Sequence, residues 1–255
     1  MNLCTDQLAM LLASPGQLIS VSDVASDPQV SAMIDEARAY PQNFGRAEEI
    51  YLMKPDLVLV GEYSRTQAAE MLERLGVPVL RLPFARSMED VAEGIRLLGQ
   101  ALGRAAEAEA MAADFEARLA TLRAEVRSNP RAALYSANGY TTGRLSLSGQ
   151  ILLAAGFSNV ADEAGIPIGG NLPMERLVMA EPDLLITAAP YPGASRSEDV
   201  LRHPAVQAMR AAQTSKMISS NDWVCGTPYV LRAIETLAGE RRALDAQDRA
   251  GEAGQ

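Results

Sequence analysis

The sequence predicts an α/β protein of two related lobes with mainly parallel sheets, joined by one long α-helix. Three observations carry that expectation. First, Ala47-Glu48-Glu49-Ile50-Tyr51-Leu52-Met53-Lys54-Pro55-Asp56-Leu57-Val58-Leu59 recurs 127 residues later, from 47 to 174, as Met174-Glu175-Arg176-Leu177-Val178-Met179-Ala180-Glu181-Pro182-Asp183-Leu184-Leu185-Ile186. Each copy reads as a short amphipathic helix with a glutamate in its first turn, a Pro-Asp turn and an apolar run short enough for a buried parallel strand. Second, strand and helix patterns alternate on both sides of the repeat. Third, residues 87–127 keep apolar steps of three and four, the helical period. Two such lobes predict a ligand cleft between them.

The elements follow in order. Thr5–Ala13 reads as a helix and Gln17–Ser22 as a strand, then a short helix near Val30–Ala39 and a loop at Pro41. After the first repeat strand comes Gly61-Glu62-Tyr63-Ser64-Arg65, then a helix over Thr66–Leu75 closed by Gly76, and the strand Val77–Leu82. Gly99 and Gly103 divide the helical run into one helix to about Ala101 and a second over Arg104–Arg127, about 36 Å long, enough to cross from lobe to lobe. Asn129-Pro130 ends it, and Ala132–Ser136 opens the second lobe as a strand. A polar loop over 137–144, a helix over Ser148–Ala155, the glycine-rich Gly165–Gly170 and the second repeat follow. A helix over Asp199–Ala211, a strand over Met217–Ser220, a helix over Tyr229–Leu244 and a disordered tail from Ala246 complete the chain. The expected organisation is a first lobe over 1–86, a helical segment over 87–128, a second lobe over 129–222, and a C-terminal helix and tail over 223–255.

Composition narrows the function. With 22% charged and 48% hydrophobic residues the chain has a globular make-up. A net charge of −9 and the lack of a basic stripe argue against nucleic acid as partner. No apolar stretch is long enough to span a membrane, so no direct membrane insertion is expected. Asn2-Leu3-Cys4 reads as the tail of a strand entering a helix capped by Thr5 or Asp6, so the numbering is expected to start after a removed export signal. Two cysteines, Cys4 and Cys225, invite a disulfide if the chain is exported and are otherwise two separate thiols. With one histidine they make no usual zinc site, and no metal or cofactor is expected.

The usual marks of catalysis are missing. His203, the single histidine, sits in Leu201-Arg202-His203-Pro204, a helix-start setting. Ser148 lies outside a nucleophile elbow, and Gly139-x-x-x-Gly143 lacks the Lys-Ser/Thr of a phosphate loop. Aromatic and arginine side chains instead recur on loops after strands: Tyr63 and Arg65, Phe84 and Arg86, Tyr140 and Arg144, Tyr191 and Arg196, and Trp223. Loops at the carboxyl ends of such strands line ligand crevices. Arginines and aromatics together suit a bulky, partly apolar ligand with negative charge.

The paired helix-glutamate-Pro-Asp-strand units, the long helix and the Trp223-x-Cys225-x-x-Pro228 segment resemble the substrate-binding proteins of ABC importers for iron-siderophore complexes, haem and cobalamin. The resemblance runs from Asn2 to about Leu244. It implies two Rossmann-like lobes joined by a rigid helix, a monomeric carrier without catalysis, a periplasmic or other extracytoplasmic location, and docking on an ABC permease with its ATPase. Glu48 and Glu175, each seven residues before its proline, match the family's permease-docking glutamates. A ferric siderophore suits the arginines and tyrosines best, ahead of cobalamin and then haem, for which Tyr63, Tyr140 or Tyr191 could ligate iron. Other classes stay open: a two-lobe α/β enzyme acting on a phosphorylated or nucleotide-linked small molecule, which would turn over, and a sensor module of the same fold.

Overall fold

The repeat seen in the sequence is also a repeat of backbone geometry. In the computed structural model, which describes residues 1–64, 66–188, 195–212 and 218–253, Lys54 and Glu181 hold equivalent left-handed conformations, φ 51° and 44°. Each stops its repeat helix immediately before the Pro-Asp turn, in a region of backbone space that non-glycine residues seldom occupy. The chain forms two compact units, Met1–Glu116 with Val224–Tyr229, and Ala117–Trp223 with Val230–Gln255.

The first unit opens with α1 (Leu3–Leu12), β1 (Val21–Ser22), a 3₁₀ turn over Asp23–Ser26, α2 (Ile34–Ala37) and β2 (Gln42–Asn43). It continues with α3 (Ala47–Leu52), β3 (Val58–Gly61), α4 (Thr66–Arg74), β4 (Val79–Leu82), α5 (Met88–Ala101) and the first part of α6 (Ala105–Ala124). β1 pairs parallel with β2, and β3 with β4 in the register Val58↔Val79 to Gly61↔Leu82. One core cluster packs Ile50, Val58, Val60, Ala69 and Leu72 under β3, and a second joins Leu3, Val21, Ala25, Ala37 and Cys225.

Three local expectations in this unit change. α1 starts at Leu3 and is capped by Asn2, whose Oδ1 accepts from the amides of Cys4 (3.0 Å) and Thr5 (3.3 Å). Asp6 cannot serve as the cap because its buried carboxylate takes the Ser22 amide (2.8 Å) and the Ser22 hydroxyl. The strand expected over Gln17–Ser22 shrinks to Val21–Ser22, since Gln17 is spent on a turn, accepting from Ser14 N and donating to Leu102 O. The helix expected over Val30–Ala39 is one turn.

α5 begins with a full capping box between Ser87 and Asp90 and buries Val91, Ile95 and Leu98. Gly103, at φ 67°, turns the chain into α6, as the glycine spacing predicted. Arg96 of α5 then forks onto Glu109 and Glu116 of α6, both at 2.8 Å, which holds the two carboxyls below their ordinary range. At 20 residues α6 is about 30 Å long, and the division between the units falls within it.

The second unit holds β5 (Arg131–Leu134), a 3₁₀ turn over Ala137–Gly139, β6 (Tyr140–Thr141), α7 (Leu147–Ala154), β7 (Ser158–Asn159), α8 (Val160–Glu163) and β8 (Gly170–Asn171). After α9 (Met174–Ala180) and β9 (Leu184–Ala188) come a 3₁₀ segment over Arg196–Arg202, α10 (Pro204–Ala212), β10 (Ile218–Ser219), a 3₁₀ turn over Asn221–Trp223 and α11 (Val230–Ala253). Its main sheet is wholly parallel, in the order β10-β9-β5-β7. Its core packs Ala133, Tyr135, Val160, Leu172, Leu177, Leu185 and Val206.

β6 and β8 add an antiparallel pair that two-residue strands leave invisible to periodicity. The helix expected over Asp199–Ala211 is split at Pro204, whose ring suits a first helical position. The tail expected to be disordered continues α11 to Ala253, because Ala, Glu, Gln and Arg there are good helix formers. Among the described residues no helix is long and apolar enough to cross a membrane.

Candidate functional site

In the first unit the parallel register sets two aromatic side chains at the same height. Gly61 and Leu82 are the last paired residues of β3 and β4, and Tyr63 and Phe84 each follow two residues later. Both are exposed, Tyr63 to 70%. The loops that carry them are tied down by backbone: Glu62 N donates to Leu82 O at 2.9 Å, Ser64 N to Gly61 O at 2.9 Å, and Phe84 N to the Glu62 carboxylate at 3.5 Å. Asn2 donates to the Ser64 hydroxyl at 2.8 Å. Arg86 is held through its amide, which donates to Asp90 at 2.8 Å, while its side chain is exposed. Arg65 lies outside the described residues.

In the second unit Tyr140 sits on the β6–β8 pair opposite Asn171 and is half-exposed. Its hydroxyl lies where a Cβ on Gly169 would be, 2.3 Å away, so a side chain at 169 would displace the ring. Ile168, 65% exposed on the same stretch, accepts from Gly143 N at 3.4 Å and stands beside this loop. The sequence reading passed over it, although an isoleucine set among glycines in Gly165-Ile166-Pro167-Ile168-Gly169-Gly170 is a visible signal. Arg144 points to Asp162, which accepts from its amide at 3.0 Å and its guanidinium at 3.3 Å, so part of its charge is answered within the protein. Arg196 is exposed at the start of its 3₁₀ segment, and Tyr191 falls outside the described residues.

Trp223 differs from expectation. Its ring is 6% exposed on a turn packed with α7 and α11, so it is a buried side chain and not one open on a loop. Its indole Nε1 is nonetheless buried without a hydrogen-bond partner among the described residues, an uncommon state for that donor.

Glu48 and Glu175 occupy matching first-turn positions of α3 and α9, and both are exposed. Neighbouring Glu49 is occupied otherwise, accepting the Phe44 amide at 2.9 Å. The negative charge of Glu175 adds to burial in raising the pKa of the Tyr135 phenol. Three and four residues after each glutamate stand exposed apolar side chains, Tyr51 and Leu52 in one copy, Val178 and Met179 in the other. Leu52 is 78% and Met179 83% exposed. On a helix these positions share a face with the glutamate. Sequence reading missed the apolar pairs because they pass for the buried side of an amphipathic helix.

Cys4 and Cys225 form a disulfide, with Cα atoms 5.1 Å apart. Among the described residues no group of three or more His, Cys, Asp or Glu side chains could hold a metal ion.

Two α/β units built on the same repeat, with parallel strands whose following loops carry exposed aromatics and arginines, define the bilobal fold of solute-binding proteins. The sequence model of the periplasmic binding protein family matches residues 3–222, and the chain belongs to that family. No curated protein matches it by sequence. Among solved structures it is similar to the periplasmic heme-binding protein RhuT from Roseiflexus sp. RS-1, at 22% identity and a TM-score of 0.75, covering 93% of this chain and 94% of that one. It is similar to the vitamin B12 binding protein BtuF of Vibrio cholerae, at 17% identity and a TM-score of 0.71, covering 96% of both chains. A third likeness is to an ABC-type Fe3+-hydroxamate transport system from Saccharomonospora viridis DSM 43017, at 26% identity and a TM-score of 0.58, covering 75% of this chain and 70% of that chain.

Proposed function

We propose that this protein is the extracytoplasmic substrate-binding component of an ABC importer, that it captures a ferric-siderophore-type chelate without transforming it, and that it hands the chelate to a membrane permease driven by its ATPase. The observation that carries the carrier reading is the duplicated glutamate. Within a chain of the periplasmic binding protein family, both copies of the repeat present an exposed carboxylate and an apolar pair on one helix face, a matched pair of contacts for a partner with two similar halves. Such exposed charges set encounter and orientation more than raw affinity.

The ligand preference rests on the loops. Tyr63, Phe84, Tyr140 and Ile168 offer apolar surface, and Arg86 and Arg196 offer exposed positive charge, the combination that a bulky anionic chelate needs. Arg144 contributes less to that charge than the sequence suggests because Asp162 already faces it. The likeness to an Fe3+-hydroxamate system favours the same class, while cobalamin and haem are the alternatives within the family.

The test is a titration of the single tryptophan's fluorescence with a ferric hydroxamate, cyanocobalamin and haemin in turn. Saturable, stoichiometric quenching by the ferric chelate, weakened about tenfold by Tyr63→Ala with Phe84→Ala, is expected, a loss of about 1.4 kcal/mol. Quenching by cobalamin or haemin alone transfers the assignment to that ligand, and chemical conversion of the ligand overturns the carrier reading. Reversing both carboxylates, Glu48→Lys with Glu175→Lys, should reduce uptake by reconstituted permease more than tenfold and leave ligand affinity unchanged. A fall in affinity would place the two glutamates in the binding site instead.

A further inference from the structure

The two copies of the repeat agree in their first-turn glutamates and reverse the charges that follow them. Counted along the repeat, Lys54 answers to Glu181 and Glu49 to Arg176. Lys54 and Glu181 are both exposed and end their helices in the same left-handed conformation, at φ 51° and 44°, so two opposite charges stand at one structural position. Glu49 directly follows Glu48 in the first turn of α3, and Arg176 directly follows Glu175 in that of α9. The apolar side differs too. Phe44, just past β2, is 54% exposed, and its repeat partner is Asn171, whose Nδ2 donates to Asn138 O at 2.7 Å.

These reversals decide what kind of partner fits. A partner with two identical halves offers the same groups to both copies. A group that attracts Lys54 then repels Glu181, and one that attracts Glu49 repels Arg176. Lys54 follows Glu48 by six residues, about 9 Å along the helix axis and roughly one Debye length at 0.1 M salt, so a group bound at the glutamate also meets that charge. A partner with two different halves turns the same reversals into a selection. One way of docking pairs opposite charges at both copies, and the other sets like charges together.

We propose, resting on the carrier reading, that docking is directional: the protein fits a permease of two non-identical halves, one presenting an acidic group to Lys54 and the other a basic group to Glu181. The permease then accepts the loaded protein one way round.

Lys and Glu both occur at this left-handed position, so exchanging one for the other makes no new demand on the backbone. The test measures binding of Lys54→Glu and of Glu181→Lys to the permease encoded beside this chain, held in lipid nanodiscs at 0.1 M and at 1 M salt. Each change should raise the dissociation constant about fivefold at 0.1 M salt and by less than about twofold at 1 M, with the unfolding midpoint and the affinity for a ferric hydroxamate unchanged. The neutral forms Lys54→Gln and Glu181→Gln should act in the same direction by less. Effects of opposite sign at the two positions are the mark of identical halves and overturn the proposal, and so does the absence of an effect at either. The form with Glu48→Lys and Glu175→Lys separates the two failures. If it docks as the parent does, the carrier reading falls and this proposal with it. If it loses docking while Lys54 and Glu181 give opposite effects or none, only the directional fit falls.

Discussion

Arg241→Ala should lower the unfolding free energy by about 3–5 kcal/mol, the range for removing one member of a buried charged network. Among the described residues Arg241 is the largest fully buried side chain, 1% exposed on α11. Its Nε donates to Ala155 O at 2.9 Å where α7 ends, one guanidinium nitrogen donates to Glu125 O at 3.3 Å just past α6, and another faces Asp245 at 3.7 Å. Asp245 in turn accepts the Ser128 hydroxyl. One side chain thus satisfies the carbonyl ends of two helices and balances a carboxylate one turn further along its own helix. Truncation to alanine leaves those carbonyls without donors and opens a cavity. Arg241→Met refills most of the volume but supplies no donor, so its cost should fall to about 1–3 kcal/mol. Urea unfolding monitored by circular dichroism checks both values, and an alanine variant within 1 kcal/mol of the parent would show that the network is replaced by water at no loss.

Breaking the Cys4–Cys225 bridge should cost about 2–5 kcal/mol. The two residues are 221 apart in sequence, so the bond closes a loop of nearly the whole chain and removes much freedom from the unfolded state. In the folded state it fastens Val224–Tyr229, six residues that belong with the first unit although the chain on both sides of them belongs to the second. Cys225 is buried there with Leu3, Val21, Ala25 and Ala37. Cys4→Ser with Cys225→Ser should therefore lower the thermal midpoint by at least several degrees, and a reductant should do the same to the parent but not to the double variant. Thiol titration of the unfolded, unreduced protein should find no free thiol. An unchanged midpoint on reduction would mean that packing of the segment alone suffices.

Much of the fold was legible because it is written in short-range patterns. The Pro-Asp turns and the break at Gly103 each depend on residues within one or two turns of each other. The reading of Asn2 as the end of a strand missed its role as the cap of α1, since Asn2, Thr5 and Asp6 are all competent and only the burial of Asp6 against Ser22 decides among them. β6 and β8 escaped notice because two residues carry no periodicity. At the candidate site the exposure of Tyr63, Phe84 and Tyr140 followed from their places after strands. The burial of Trp223, the pairing of Arg144 with Asp162 and the exposed apolar pairs beside Glu48 and Glu175 did not.

The sequence by itself determined that this protein is built twice from one helix-turn-strand unit, that α5 and α6 are separate helices, and that parallel strands alternate with helices, because each depends on neighbours along the chain. Only the tertiary structure decided that Cys4 meets Cys225, that Trp223 is buried, and that Arg241 donates to the carbonyls of Ala155 and Glu125. Those outcomes depend on which of many polar and apolar groups, distant in sequence, are brought within bonding range, and that is set by packing the whole chain.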